Sequence, residues 1–296
     1  MKRLVLAVAF VAAGPTALAE GPRTEWAQYR VAGDAPWRFA RPVEAAGYRV
    51  VLSSPDGRAL EARVVVDSSP FGADAAFPPP LEALEPEARA TLAEPRPEDA
   101  ALEAASSRLL AGALTTLEAV ERVIAFTSRN VAYKLPDGNE TAASALRSGR
   151  GSCVGRSLLA ADLLLRAGVP ARQVTGLLVA AEPAELTPES RLVYNAGLGG
   201  VRHRWIEVFV PGLGWVPSDP GGLANTVTAR HLALSRQPAS SFHAGVLTRS
   251  AEIRRPVLEG GEGRITLARP RGPLEGASFD PAPLAAPRPA GRDDRR

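Results

Sequence analysis

One short segment, residues 149–157, constrains this chain more than any other part of it. Its sequence is Gly-Arg-Gly-Ser-Cys-Val-Gly-Arg-Ser, and it holds the only cysteine among 296 residues. The apolar run that follows ends at Gly168 and Pro170, which is typical of a helix and its stop signals. Ser152 is suited to cap this helix, so Cys153 is expected in the first turn. Unpaired N–H groups and the positive end of the helix dipole favour a thiolate there, so the segment predicts a nucleophile.

The first residues have the features of a secretory signal peptide. Two basic residues precede a short apolar run at 4–13, and Ala17-Leu18-Ala19 fits a cleavage site. The apolar run is too short to span a bilayer. We therefore expect cleavage after Ala19, a mature protein that is periplasmic or secreted, and no transmembrane segment once the signal is removed.

Export changes how the single cysteine is interpreted. Oxidising compartments favour disulfides, but one cysteine cannot form an internal one. The thiol is therefore either a small buried apolar residue or one kept for its reactivity. The flanking glycines and the position at a helix start favour the reactive alternative.

The net charge and the spacing of cysteine and histidine argue against two classes of function, nucleic-acid binding and zinc binding. The formal net charge of +3 includes Lys2 and Arg3, so removal of the signal leaves +1, which does not indicate a nucleic-acid partner. One cysteine and three scattered histidines show no spacing typical of zinc ligands. We predict neither a metal nor any other cofactor.

The composition divides the chain into five parts. These are a signal peptide, a β-rich N-terminal region with a linker, a core, a β-rich C-terminal extension and a disordered tail. Their expected bounds are 1–19, 20–97, 98–222, 223–280 and 281–296. In the N-terminal region, the runs 47–52 and 60–66 flank Asp56-Gly57, a turn signal, and predict a pair of strands.

The core pattern combines helices with strands. Apolar periodicity and capping residues predict helices and strands before and after the Cys153 helix. The expected helices are 87–93, 99–110, 116–130 and 141–147, and the expected strands are 173–180 and 201–210. The residues at 211–214 then form a turn, which leads into a returning strand that approaches Asp219.

A thiol nucleophile needs a base, and the base needs an orienting acceptor. Only His203, His231 and His243 are available as the base. His203 begins a strand, whereas the other two lie in weaker contexts and are expected to be structural or surface groups. The candidate groups are thus Cys153, His203 and Asp219, and substitution of His231 or His243 is expected to be milder than substitution of His203.

Three blocks of sequence resemble the transglutaminase-like proteins. They are the Gly151-Ser152-Cys153 turn with its helix and the following residues to 176, the block 203–208, and the block 214–220. The resemblance covers roughly residues 98–222. It implies an α+β, papain-like fold in which the cysteine helix packs on an antiparallel sheet. It also implies that Cys153 is the nucleophile, His203 the general base and acid, and Asp219 the group that orients His203.

Strand pairing makes the approach of Asp219 to His203 difficult to derive. A three-residue loop at Gly212–Gly214 would pair Asp219 with Glu207, four residues from His203. That separation is roughly 13 Å at the rise of a strand. Closing the gap would require a different register or a bulge, for which Pro217 is the expected place.

The leading function is thiol-dependent acyl transfer from a peptide or glutamine-type amide, with hydrolysis favoured over cross-linking because nothing specifies an amine site. The substrate would be a peptide or protein, including cell-envelope material. The Cys153 N–H and one further donor, for which Tyr133 is a weak candidate, would bind the oxyanion. The alternative is an exported binding module that keeps the fold without catalysis. The oligomeric state is not predicted.

Overall fold

The structure is a computed structural model that describes residues 24–32, 42–53, 59–67, 71, 74–134, 139–179, 200–237 and 252–254. The expected signal peptide, the expected disordered tail and His243 lie outside the described residues. Among the described residues, no helix is both long enough and apolar enough to span a membrane.

The described elements are helices and strands in mixed order. The helices are α1 (Pro86–Ala93), α2 (Ala100–Leu110), α3 (Thr116–Asn130), α4 (Ala142–Ser148) and α5 (Cys153–Arg166), with a short 3-10 turn at Leu81–Ala83. The first six strands are β1 (Thr24–Ala32), β2 (Val43–Ala45), β3 (Tyr48–Ser53), β4 (Ala59–Asp67), β5 (Ala132–Tyr133) and β6 (Arg150–Gly151). The remaining strands are β7 (Ala171–Val179), β8 (Gly200–Val210), β9 (Gly214–Ser218), β10 (His231–Gln237) and β11 (Glu252–Arg254).

A four-stranded antiparallel sheet carries the cysteine helix. Its strand order is β10-β7-β8-β9. Ile206 and Val208 of β8 pack into one core with the apolar residues of α2, α3 and α5. Trp205, which alternates with them, lies in a second core. The expected α+β architecture, with the cysteine helix on an antiparallel sheet, is confirmed.

A second sheet, made of the four N-terminal strands and β11, packs on the first. Its strand order is β11-β1-β4-β3-β2, and the expected pairing of the two strands β3 and β4 is confirmed. Alternate residues of these strands, such as Val50 and Val64, are buried in the same core as Trp205 and Leu232. The Ala46 N–H also donates to the Trp215 carbonyl at 2.7 Å, which joins the two sheets through the backbone.

The segment expected to link the two regions packs against the core. Leu84 and Ala88 are buried with Phe209 and Trp215. Glu87 of α1 accepts a hydrogen bond from the Trp215 indole at 3.3 Å. This segment therefore covers one end of the core sheet, in addition to connecting two regions.

Strand β10 follows residue 222, the expected end of the core, yet it is an edge strand of the core sheet. It pairs with β7 from His231 to Gln237, with an irregularity between Ala233 and Ser235. The chain beyond residue 222 therefore supplies part of the sheet on which α5 rests. The division into parts remains a prediction.

The backbones of β7 and β10 approach each other closely at Gly176, and a substitution there tests whether this contact stabilises the fold. A Cβ atom at this position would lie 2.1 Å from the Leu232 carbonyl oxygen and 2.7 Å from the Trp205 ring. We expect Gly176→Ala to lower the free energy of unfolding by about 3 kcal/mol, because backbone must move to accommodate the methyl group. Urea denaturation measures the change.

Gly212→Ala is the matched control for that prediction. Gly212 has a φ of +84°, and a Cβ atom at this position would have open space around it to 4 Å. Only backbone strain, of about 1 kcal/mol, is therefore expected from the substitution. Equal losses in the two variants would show that the contact between β7 and β10 does not constrain Gly176.

Candidate active site

The turn between β8 and β9 sets the position of Asp219. Val210 pairs with Gly214, so the three loop residues are 211–213 and the expected loop was wrong by one residue. A one-residue shift of the loop moves every cross-strand partner by two. Glu207 consequently pairs with Pro217, and continuation of the register sets Asp219 beside Trp205, diagonal to His203. No bulge at Pro217 is needed.

The structure brings His203 and Asp219 into direct contact. His203 Nε2 lies 2.8 Å from Asp219 Oδ2, and both side chains are buried. Strand β9 ends at Ser218, and the turn after it folds back on Asp219. Within that turn the Gly221 N–H donates to Asp219 Oδ1 at 2.8 Å. The carboxylate is therefore bound at both oxygens.

The electrostatics of this contact favour a charged pair. Burial alone would lower the pKa of His203, but the charge of Asp219 and the hydrogen bonds to Asp219 and Cys153 raise it to about 10. Burial would likewise raise the pKa of Asp219, but the charge of His203 and the hydrogen bonds from both His203 and His231 hold it well below its ordinary range. A protonated His203 beside an ionised Asp219 follows from both shifts.

Cys153 is the first residue of α5, as expected from the sequence. The Ser152 side chain caps the helix by accepting from the Val154 N–H at 3.1 Å. The thiol is half-buried and lies close enough to His203 to contribute to the raised pKa of that residue. Because Asp219 engages His203 at Nε2, Nδ1 is the ring nitrogen left for the thiol. The structure thus joins all three residues that the sequence nominated.

Glu140 fixes the entrance to the cysteine helix, a role that the sequence pattern does not indicate. Its carboxylate accepts hydrogen bonds from the Ser152 N–H, at 2.6 Å, and from the Ser152 hydroxyl. A Cβ on Gly155 would lie 2.6 Å from Glu140 Oε1. The glycine after Cys153 and Val154 therefore allows this carboxylate to lie against the first turn of α5.

Tyr133 lies on the strand next to the cysteine turn. β5 pairs in parallel with β6, which sets Tyr133 in register with Gly151. Arg156, one turn into α5, donates to the Val131 carbonyl through Nε and Nη2 at 3.0 and 2.6 Å, and so ties this strand to the helix. Tyr133 is half-buried, and its role as an oxyanion donor remains a prediction.

His231 is the residue whose position differs most from the sequence-based expectation. It is fully buried, and its Nε2 lies 2.9 Å from Asp219 Oδ2, the same oxygen that contacts His203. No local sequence pattern predicts this contact. His231 lies on β10 and His203 on β8, and β7 separates these two strands in the sheet. The contact arises because the turn after β9 carries Asp219 toward β10, and this depends on tertiary structure.

His203, Asp219 and His231 lie close enough together to suggest a metal centre, because one ligand atom from each lies within 4.8 Å of the others. Their hydrogen bonds oppose this use. The ionised Asp219 carboxylate accepts from Nε2 of His231 at 2.9 Å and the Thr228 N–H donates to Nδ1 at 3.2 Å, so the proton of a neutral His231 ring is on Nε2. A protonated Nε2 has no lone pair for a metal, and the His203 Nε2 is occupied in the same way. This cluster therefore fits a hydrogen-bonded site better than a metal site.

Comparison with known proteins shows which family part of this chain resembles. Residues 103–220 match the family model described as the transglutaminase-like superfamily. No curated protein matches the chain significantly.

Solved structures with similar folds include a candidate cysteine protease from Cytophaga hutchinsonii, at 13% identity and a TM-score of 0.48, covering 82% of this chain and 91% of that one. They also include the periplasmic domain of TgpA from Pseudomonas aeruginosa, at 18% identity and a TM-score of 0.40, covering 66% and 69%. The similarity to the transglutaminase-like superfamily thus covers residues 103–220 of this chain.

Proposed function

We propose that this protein is an exported thiol enzyme that cleaves or transfers the acyl group of a peptide or glutamine-type amide. The observation that carries the proposal is the buried 2.8 Å contact between His203 and Asp219, with the Cys153 thiol near enough to His203 to raise its pKa. A nucleophile, a proton carrier and an orienting acceptor in that order are what covalent amide chemistry requires.

The proposed reaction has two stages. The Cys153 thiolate attacks the carboxamide carbon, and the His203 imidazolium protonates the departing amine or ammonia, which leaves an acyl-enzyme. Neutral His203 then takes a proton from water or from an amine, which attacks the thioester and releases the acid or the new amide. His203 and Cys153 regain their starting protonation states, so protons balance over the cycle.

The oxyanion of each tetrahedral intermediate needs preorganised donors. In the first turn of α5, the N–H groups of Ser152, Val154 and Arg156 donate to Glu140 Oε1, Ser152 Oγ and the Ser152 carbonyl, respectively. The Cys153 N–H is the donor adjacent to the nucleophile, and we assign it to the oxyanion. Tyr133 is the candidate for the second donor.

Hydrolysis remains favoured over cross-linking, since no residue pattern specifies an amine site. The proposed substrate is a peptide outside the cytoplasm, because the first residues have the features of a signal peptide and a thiol with a base is suited to amide bonds. The experiment is incubation of the purified protein with a peptide library and a primary amine, followed by mass spectrometry. Carboxylic acid products indicate hydrolysis, and amine adducts indicate acyl transfer.

The first test of the proposal is Cys153→Ala. The swap is small and lies at a helix start, so we expect the same unfolding temperature and loss of all product formation. Unaltered turnover by the purified variant would remove Cys153 from the mechanism. Absence of any product from the wild type, with a thiol that does not react at mildly acidic pH, would favour a non-catalytic binding module.

The second test concerns Asp219. Asp219→Ala removes the charge that keeps His203 protonated, so iodoacetamide should label Cys153 only at higher pH than in the wild type. Asp219→Asn should give an intermediate profile. Its amide oxygen can accept from the histidines, but its NH2 group then faces the Gly221 N–H, which is also a donor.

Asp162→Asn serves as the charge-matched control for these variants. Asp162 lies on the same helix as Cys153 and pairs with Arg166 at 2.6 Å, so its loss removes one negative charge without touching His203. We expect its labelling profile to equal that of the wild type. An unchanged profile in Asp219→Ala would refute the role of Asp219.

A further inference from the structure

We propose that His231 is a positioning residue of this site, held in place by Tyr48 of the N-terminal sheet, and that it fixes the Asp219 carboxylate against His203. The proposal rests on the thiol chemistry proposed above. Its central observation is that Asp219 Oδ2 contacts Nε2 of both histidines, at 2.8 and 2.9 Å.

The protonation of His231 follows from its neighbours. The ionised Asp219 carboxylate can only accept, so the His231 Nε2 that faces it carries a proton. The Thr228 N–H donates to His231 Nδ1 at 3.2 Å, while the Thr228 carbonyl, 3.3 Å from the same nitrogen, already accepts from the His231 N–H at 2.9 Å. The Thr228 hydroxyl also lies 3.0 Å from Nδ1. The proton of the neutral ring is consequently on Nε2, which donates it in a hydrogen bond to Asp219 Oδ2.

Burial keeps His231 neutral. It lowers the pKa of His231, and the positive charges of His203 and Arg230 lower it further, while the hydrogen bond and charge of Asp219 act in the opposite direction. The two histidines around one carboxylate oxygen therefore differ in charge. His203 is the cation that takes part in proton transfer, and His231 is a neutral donor.

Asp219 needs such a donor because its backbone lies at the end of a strand. Pairing with β8 stops at Ser218, and Asp219 begins a turn that closes at Leu223. Apart from His203, the described residues offer two donors that set its carboxylate, the Gly221 N–H at Oδ1 and His231 at Oδ2. Without His231, Oδ2 is held only by the group it is meant to orient.

The N-terminal sheet holds His231 through its backbone. The Tyr48 hydroxyl donates to the His231 carbonyl at 2.5 Å and accepts from the Ala233 N–H at 3.0 Å. Burial raises the pKa of Tyr48, so this hydroxyl keeps its proton. The rings of His231 and Trp205 also pack edge to face, with centroids 5.4 Å apart. A continuous chain of contacts thus runs from β3 through His231 and Asp219 to His203.

The experiment measures the rate of Cys153 labelling by iodoacetamide between roughly pH 4 and 10 in the full chain. His231→Phe keeps a planar ring but removes the donor, and we expect its labelling profile to move to higher pH. His231→Gln can place an N–H near the position of Nε2, and we expect it to restore most of the wild-type profile. Loss of one hydrogen bond to a charged group should slow labelling at mildly acidic pH by about tenfold or more.

Tyrosine variants test the second part of the proposal. Tyr48→Phe should shift the profile in the same direction as His231→Phe, by a smaller amount. Tyr29→Phe is the control, because the Tyr29 hydroxyl donates from the same sheet to the carbonyl of Ala229 and not to that of His231. We expect its profile to equal that of the wild type, and unfolding temperatures verify that each variant is folded.

Several outcomes would overturn the proposal. A wild-type profile in folded His231→Phe would show that Asp219 does not depend on His231. An equal shift in His231→Gln would show that ring shape, not the donor, is what matters, and an unchanged Tyr48→Phe would remove the N-terminal sheet from the chain of contacts. A wild-type thiol that labels only at alkaline pH would instead contradict the proposed thiol chemistry itself.

Discussion

A buried carboxylate needs hydrogen-bond donors around it. At Asp219, the residues that supply these donors determine how the site is arranged. An unpaired charge in a protein interior costs several kcal/mol, so a carboxylate as buried as this one exists only with partners. Asp219 has three, from β8, from its own turn and from β10. One of the three is a cation, so the carboxylate keeps His203 protonated, and in the proposed mechanism that charge stabilises the Cys153 thiolate.

A second buried carboxylate, on the strand that carries His203, is neutralised in a different way. Glu207 is fully buried and is paired with Arg172, at 2.8 Å, and with Arg236. Arg172 also lies over the Trp215 ring, 3.7 Å from its centroid. These permanent cations hold α1, β7 and β10 around β8. Glu207 is thereby committed to the framework and is not available to orient His203, although the two residues are close in sequence.

The sequence was sufficient for the parts of the site that depend on local rules. The Ser152 cap, the start of the helix at Cys153 and the alternation along β8 follow from propensity and period, and all three are present in the structure. The partner of His203 required the strand register, which depends on whether Gly214 belongs to the loop or to the strand. The structure assigns it to the strand, and that choice moves Asp219 by two cross-strand positions.

Other residues could not be found from the sequence, because no local pattern encodes their contacts. His231 reaches Asp219 only through the fold of the turn after β9, and Tyr48 reaches His231 from a sheet more than 180 residues earlier in the chain. Glu140 reaches Ser152 through the position of α4. Each is a polar contact between residues that are distant in sequence, and the sequence around either partner does not indicate the other.

The central claim is that one carboxylate oxygen holds two histidines in different charge states. Nitrogen-edited NMR of the imidazole rings near pH 8 tests it most directly, because an ordinary histidine, with a pKa of about 6.5, is neutral there. We expect both ring nitrogens of His203 to be protonated, since its pKa is raised to about 10, and His231 to be neutral with its proton on Nε2. Two neutral rings, or a charged His231 beside a neutral His203, would contradict it.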